Sequence, residues 1–403
     1  MYLLKKFRFI LLHIKNILPD YLLIAQDLIV ILSILTEKNT RKNQSVFLLN
    51  HRSWGFGHQL LELRYARFIK TNFRKVLITT KVFSNDFLHE KMTDSCIKTF
   101  RFNFLFTYQI ISEYLRKNFK SIDIGAGLDD LSYWKAIEWN CFNRVNNFSN
   151  HIKIYKSFPI NNYEDLPCFF SKAEESNLFN ELSNIGISEN SWFCVIHIRK
   201  NEWSSLRNTN LKTFNKSIQH IYNEGGQVLL TGEASSFKNE IPTMPKNASS
   251  PLKLFALAKQ KFMLASSSGP SHTSFIFNVP VIVTNNFYWF GYSWSNKDSS
   301  LPRLILNRDD DKLINFSQYS NLLESDCITY ERIDSKFEII DNSEDEILSS
   351  VRNKLNEIKI NNFEPTINQN GFRSRFPKDH YIHLMNSKID DSFYQKYRFL
   401  LEN

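Results

Sequence analysis

Apolar residues in the second half of the chain occur either in short unbroken runs or at helical spacing. Phe193–Ile198 is a continuous apolar run typical of a buried strand. The next apolar residues lie on one face of a predicted helix: Leu211, Phe214, Ile218 and Ile221. Gly225–Gly226 then ends that helix. Further strands are predicted at Val228–Leu230, Phe262–Ala265 and Pro280–Val283, with helices at Pro251–Gln260 and Thr273–Phe277. Strands separated by short helices require right-handed crossovers and therefore predict a parallel sheet.

The first half of the chain has the same alternation in a weaker form. Val46–Leu49 and Val76–Thr79 resemble strands, and Gln59–Ile69 between them has helical spacing. At 403 residues the chain is long enough for two domains. We predict an α/β protein in which two Rossmann-like domains face each other across a cleft. The predicted parts are an N-terminal segment at 1–36, a first domain at 37–185, a second at 186–345, and helices with a tail at 346–403.

Composition and charge narrow the classes of protein. With 42% hydrophobic and 23% charged residues the chain has the composition of a globular protein. The net charge of +9 suits a phosphate-bearing substrate or an anionic membrane surface. Nucleic-acid binding is not expected, because the sequence has no zinc-finger, helix-turn-helix or RNA-recognition signature. The five cysteines are scattered without a C-x-x-C pair, which indicates reduced thiols in a cytoplasmic protein.

The N-terminal segment mixes apolar and basic residues. Residues 1–18 and 21–35 are mainly apolar, but neither run reaches the roughly 20 uninterrupted apolar residues of a spanning helix. Two interpretations remain open at this point. The segment is either a basic amphipathic helix lying on the inner face of the cell membrane, or a helix pair packed on its own domain.

Ligands of open parallel sheets bind beyond the carboxyl ends of the strands, so the residues that follow each strand are the candidate site. His197 and Arg199 stand at the end of FCVIHI, and Arg207 and Asn208 come soon after. An arginine there can bind a diphosphate in bidentate fashion and neutralise its charge. The alternative for such an arginine is a pair with a surface carboxylate.

The most polar strand end is SSSGPSHT, which follows the strand at Phe262–Ala265. Small hydroxyl residues before a helix start supply free amides for an anion such as a pyrophosphate, although ordinary helix capping is the alternative. The candidate residues of this loop are Ser267, Ser268, Gly269, Pro270 and Ser271. Weaker candidates follow the neighbouring strands: Gly232, Glu233 and Asn285.

In the first domain a G-x-G turn opens the predicted helix. Gly55–Phe56–Gly57 can bring the backbone close to a phosphate or a sugar, with Gln59 beside it. The turn lacks the third glycine of the dinucleotide fingerprint. His58 and Glu62 are the candidate general bases for an acceptor hydroxyl, although His58 is equally explained as a capping residue.

Taken in order, HIR, RN, VLLTGE and SSSGPSHTSFIFNVPVIVTNN resemble the donor domain of GT-B glycosyltransferases, in particular a family of bacterial enzymes from surface-polysaccharide gene clusters. GFGHQ resembles the G-x-G-N-Q loop of GT-B fucosyltransferases, with His58 in place of the asparagine. The resemblance implies that Arg199 contacts the donor diphosphate. It further implies that backbone amides of Ser267, Ser268 and Gly269 cradle the diphosphate. The first domain is implied to close over the diphosphate with Gly55, Gly57 and Gln59.

The same resemblance implies a nucleotide-sugar donor, a glycan or lipid-linked glycan acceptor, and no bound metal or other cofactor. The sequence has no D-x-D at a predicted strand end, and Asp309–Asp311 is predicted to be a solvated turn. Other activities remain open: a nucleotide-sugar epimerase, a pyruvyl-transferring enzyme of polysaccharide synthesis, or a non-catalytic nucleotide- or sugar-binding protein.

Overall fold

The computed structural model describes a helical segment at 24–32, four strands between residues 44 and 123, and most of the chain from residue 170 to residue 401. Gaps in that last range are 201–204, 234–240, 267, 273–276, 287–294, 325–332, 365, 377, 379–382 and 384–387. Contacts divide the chain into a first unit, Met1–Leu128, and a second unit, Asp129–Asn403.

The described strands of the first unit form one parallel sheet. They are β1 (Gln44–Leu48), β2 (Arg74–Thr80), β3 (Lys98–Phe102) and β4 (Ser121–Asp123). Their order is β3-β2-β1-β4, and every pairing is parallel. An order of 3-2-1-4 is that of a Rossmann-like half sheet, in which the chain returns past its first strand.

The second unit contains nine described strands: β5 (Phe193–Ile198), β6 (Gln227–Gly232), β7 (Met263–Ala265), β8 (Val281–Asn286), β9 (Ser299–Pro302), β10 (Leu304–Asn307), β11 (Lys312–Leu313), β12 (Phe337–Ile340) and β13 (Lys388–Ile389). Six of them form a parallel sheet in the order β13-β9-β8-β7-β5-β6. The predicted α/β class with parallel sheets is confirmed.

A second, antiparallel sheet has the order β11-β10-β12 and was not predicted. The acidic run at 309–311 lies in the exposed turn between β10 and β11, as the sequence indicates.

Eight helices of the second unit have described bounds: α1 (Lys172–Asn184), α2 (Asn215–Asn223), α3 (Ser250–Lys259), α4 (Phe316–Glu324), α5 (Glu344–Ile360), α6 (Ile367–Arg373), α7 (Asp391–Lys396) and α8 (Arg398–Leu401). Local chemistry sets several of their starts. Ser171 and Ser343 form capping boxes with the glutamate three residues on, and Ser249 caps α3 ahead of a proline in its first turn.

The parallel sheet of the second unit is covered on both faces. Cys194, Val195 and Ile196 alternate between the faces of β5, and all three are fully buried. Helices α2 and α5 contribute to the same core cluster as Cys194 and Ile196.

The second unit extends beyond its predicted range of 186–345 at both ends. Helix α1 was predicted to belong to the first domain, but it packs on α3, with the rings of Phe179 and Phe255 4.8 Å apart. Strand β13 comes from the predicted tail and pairs with β9. Helix α1 and the tail therefore belong to the second unit.

Candidate functional site

The strand order of the second unit reverses between β5 and β7. β6 follows β5 on one side, whereas β7 lies on the other side of β5 and is followed outward by β8 and β9. His197 of β5 pairs with Thr231 of β6 and with Ala265 of β7, so these three strand ends lie side by side. We call the carboxyl ends of β5 and β7 the switch point. In open α/β sheets, a crevice at such a reversal is where ligands bind.

The loop after β5 carries three of the predicted residues to the switch point. The carbonyl oxygen of Arg199 accepts a hydrogen bond from the Thr209 amide at 3.1 Å and so closes this loop. Arg207 is buried at the end of a 3-10 helix, Ser205–Arg207. The carbonyl oxygen of Asn208 accepts a 2.8 Å hydrogen bond from Nη2 of Arg303.

The loop after β7, residues 266–271, is called the serine loop here. Ser266 is 0% exposed and Ser268 3% exposed, and neither Oγ has a hydrogen-bond partner in the described part of the chain. The Ser271 hydroxyl is engaged, because it donates to the carbonyl oxygen of Ser268 at 2.6 Å. A buried hydroxyl normally has a partner, so Ser266 and Ser268 have capacity for a ligand or for water.

The predicted helix start in the serine loop is a short 3-10 helix, Gly269–His272, with Gly269 and Pro270 half-buried. Ser267, which was predicted to cradle the diphosphate, lies outside the described residues.

His197 is held neutral at the end of β5. Its Nδ1 lies 3.0 Å from Oγ1 of Thr231. Burial, and to a smaller extent the positive charge of Arg199, lowers the pKa of His197 to about 4. The imidazole is therefore uncharged at pH 7, and the effect of Arg199 indicates a positive potential at this strand end.

Gly232, the last residue of β6, pairs with Ile198, the last residue of β5. Its φ is +80°, and a Cβ built there would lie 2.2 Å from the carbonyl oxygen of Ile198. Only glycine combines this conformation with this close approach. The next residue, Glu233, donates its amide to that same oxygen at 2.9 Å, while its carboxylate lies 3.1 Å from Nζ of Lys246. The predicted contact of Glu233 with a ribose or base remains a prediction.

Asn285, the candidate residue after β8, is buried and pairs with Asn342. The Asn285 amide donates to Oδ1 of Asn342 at 2.5 Å, and the Asn342 amide donates to Oδ1 of Asn285 at 2.7 Å. Asn342 also donates from Nδ2 to the carbonyl oxygen of Pro302 at 2.8 Å. These bonds join the ends of β8 and β9 to the start of α5. The predicted ligand contact of Asn285 stays a prediction.

Sequence reasoning missed Arg303, which directly follows β9. It is 3% exposed, its Nε lies 2.8 Å from Oδ1 of Asp341, and its Nη2 bonds the loop after β5. An arginine at a strand end was a usable signal, but its partners are far away in the sequence and give no local pattern.

No protein-family model matches this sequence, and no curated protein matches it significantly. A family 9 glycosyl transferase from Veillonella parvula DSM 2008 is similar in structure over 78% of this chain and 98% of its own, at 10% identity and a TM-score of 0.47. The ADP-heptose LPS heptosyltransferase II of E. coli is similar over 79% of this chain and 99% of its own, at 13% identity and a TM-score of 0.43. The UDP-GlcNAc 2-epimerase of Methanocaldococcus jannaschii is similar over 78% of this chain and 100% of its own, at 11% identity and a TM-score of 0.36.

These three TM-scores are below 0.5, and transferases and an epimerase match alike, so the likenesses do not decide between the two activities. They do not single out one glycosyltransferase family, and they give no support for a link to fucosyltransferases.

The predicted residues of the first domain lie outside the described residues: Gly55, Phe56, Gly57, His58, Gln59 and Glu62. Within the described ranges, no group of three or more His, Cys, Asp or Glu residues is placed to hold a metal ion. No described helix is long and apolar enough to cross a membrane.

Proposed function

We propose that this chain is a GT-B glycosyltransferase that transfers a sugar from a nucleotide-sugar donor to a hydroxyl of a surface-glycan acceptor. The observation that carries the proposal is the pair of buried hydroxyls of Ser266 and Ser268 at the switch point. Two hydroxyls that have no hydrogen-bond partner among the described residues, beside a strand end that carries Arg199, suit the oxygens of a diphosphate.

Charge supports the same ligand. When the glycosidic bond to the donor breaks, the nucleoside diphosphate leaves with negative charge while the sugar becomes oxocarbenium-like. Stabilising that charge requires fixed positive groups and hydrogen-bond donors at the leaving oxygens. Arg199 supplies a positive charge close enough to lower the pKa of His197, and the serine loop supplies donors. We propose that these groups replace a metal ion, so that activity persists in EDTA.

The first unit is proposed to supply the acceptor side, with His58 or Glu62 as general base and Gly55, Gly57 and Gln59 near the donor. On this proposal, the variants His58→Ala and Glu62→Gln show which of the two residues is the general base. The variant that removes the base lowers kcat by about 10²–10⁴-fold, the usual contribution of a general base, while nucleotide binding is retained. Loss of nucleotide binding in both variants would contradict this assignment.

The donor site is tested by thermal shift with ADP, CDP, GDP, UDP and dTDP, each without magnesium. A nucleotide at 100 times its Kd stabilises the native state by about 2.7 kcal/mol. We expect one nucleotide to raise the Tm of the wild type, and expect the shift to be largely lost in Ser266→Ala/Ser268→Ala and in Arg199→Ala.

The serine variant has a matched control in Ser217→Ala, because Ser217 is a fully buried serine on α2 whose hydroxyl also has no partner in the described chain. Removing an unpartnered buried hydroxyl leaves the free protein as stable or more stable, by up to about 1 kcal/mol. Both serine variants should therefore melt no lower than the wild type, and only the switch-point variant should lose the nucleotide shift. If no nucleotide shifts the wild type with or without magnesium, the donor proposal is wrong.

The reaction class is tested separately, by incubating the stabilising nucleotide's sugar conjugates with and without an acceptor glycan. Transfer requires the acceptor, an epimerase converts the donor alone, and a binding protein does neither.

A further inference from the structure

The helical segment at 24–32 exposes large aliphatic side chains on its outward side. Asp27 is 0% exposed, whereas four large aliphatic side chains are 41–63% exposed: Ile24, Leu28, Ile29 and Leu32. We call these four residues the apolar stripe. At 3.6 residues per turn they fall within roughly 140° of the helix circumference, and Asp27 lies outside that arc, between the half-buried Val30 and Ile31. The outward side of this helix is therefore an exposed apolar surface.

The sequence around the stripe is basic. The Lys and Arg residues of the first 43 positions are Lys5, Lys6, Arg8, Lys15, Lys38, Arg41 and Lys42, while the acidic residues are Asp20, Asp27 and Glu37. One of the acidic residues, Asp27, is buried and not presented on the surface. Exposed aliphatic side chains flanked by an excess of Lys and Arg are the two features that bind a helix to an anionic bilayer surface.

We propose that the apolar stripe is a membrane-docking surface that inserts into the headgroup region of an anionic phospholipid bilayer, with the helix lying in the plane of the surface. A protein partner fits less well. Stable protein interfaces bury about 800 Å² on each side and rely on aromatic and arginine anchors, whereas the stripe offers four aliphatic side chains. The inference does not depend on the donor site.

The experiment is co-sedimentation of the full chain with vesicles of phosphatidylcholine alone and of phosphatidylcholine mixed with phosphatidylglycerol. Leu28→Ser/Leu32→Ser removes two side chains of the stripe, one helical turn apart. Ile360→Ser/Phe399→Ser is the matched control, because those side chains are 58% and 55% exposed in the second unit. Substitutions at exposed positions leave the fold intact, which equal Tm values for the three proteins would verify.

We expect the wild type and the control variant to sediment with the anionic vesicles, more weakly at high salt. The stripe variant should partition at least tenfold less. The proposal is wrong if the wild type does not bind the anionic vesicles, or if the stripe variant binds them as well as the wild type. It is also wrong if the wild type is a dimer in the absence of vesicles and the stripe variant a monomer, because the stripe is then an interface between two copies.

Discussion

The guanidinium group of Arg303 connects the end of β9 to the loop that follows β5. Its Nη2 donates to the carbonyl oxygen of Asn208 at 2.8 Å, and its Nε lies 2.8 Å from Oδ1 of Asp341. The Arg303 side chain is almost completely buried, whereas Asp341 is 43% exposed, so solvent reaches the carboxylate but not the guanidinium group. Arg303 therefore holds the loop that carries Arg207 in place at the switch point, and pairs with a carboxylate that directly follows β12.

Replacing Arg303 by lysine should destabilise the protein by about 1–3 kcal/mol. Lysine keeps the charge but loses the planar fork, so it is unable to reach Asp341 and Asn208 together. The free energy of unfolding is measured by urea denaturation. Arg308→Lys is the control, because the Arg308–Glu338 pair is about half exposed on both sides and should contribute no more than about 0.5 kcal/mol. Equal losses in the two variants would mean that burial of Arg303 has no energetic effect.

Gly232→Ala tests the close approach of β6 to β5. Both Gly232 and Gly225 have positive φ, +80° and +74°, so alanine is strained by about 1–2 kcal/mol at either position. At Gly225 a Cβ meets nothing within 4 Å, whereas at Gly232 it would lie 2.2 Å from a backbone oxygen. We expect Gly232→Ala to cost about 1–3 kcal/mol more than Gly225→Ala, because backbone must move. Equal Tm values for the two variants would show that the approach is looser than the structure indicates.

The strands and helices that the sequence predicted are those whose own residues show a recognisable hydrophobic pattern. Phe193–Ile198 is an unbroken apolar run and forms β5 with the same bounds, and the helix predicted at Pro251–Gln260 is α3, Ser250–Lys259. β9 was missed because its sequence, SSLP, is polar at its start and ends in proline. It is buried only because β8 and β13 pair with it, and no local pattern encodes that pairing.

The candidate site also has a part that the sequence predicts and a part that it does not. Residues that follow a strand, such as Arg199 and the serine loop, were predictable because sheet topology alone brings strand ends together. The bonds that support them were not predictable. Arg303 and Asn208 are 95 residues apart, and Asn285 and Asn342 are 57 apart, so only the tertiary fold makes them neighbours.

Glu357→Gln should be the most destabilising of these substitutions. The carboxylate of Glu357 pairs with the ammonium groups of Lys354 and Lys388, whose side chains are 0% and 4% exposed. Burial lowers the pKa of Lys354, and the negative charge of Glu357 opposes that shift. Removing the charge takes from both buried ammonium groups their shared carboxylate, and breaking a buried pair in this way typically costs about 3–5 kcal/mol.

Two further variants check this mechanism by urea denaturation. Adding Lys354→Met to Glu357→Gln removes one uncompensated charge, so the double variant should recover part of the lost stability. Glu338→Gln is the exposed control and should change stability by less than about 0.5 kcal/mol. If Lys354→Met only adds to the loss, charge is not the cause.

The neutral His197 should make the protein sensitive to mild acid. Its folded-state pKa is about 4, below the ordinary value of 6.5, so between those pH values the unfolded chain binds a proton that the native state does not. Stability should therefore fall as the pH drops from about 6.5 towards 4, by up to about 1.4 kcal/mol for each pH unit.

His197→Gln keeps a polar partner for Thr231 but does not titrate. We expect the stability difference between wild type and His197→Gln to be constant above pH 7 and to shift in favour of the variant by pH 5, as measured by urea denaturation at each pH. His220→Gln, on α2, is the control and should follow the wild type; a difference for His197→Gln that is the same at pH 7 and pH 5 would show that His197 does not cause the acid sensitivity.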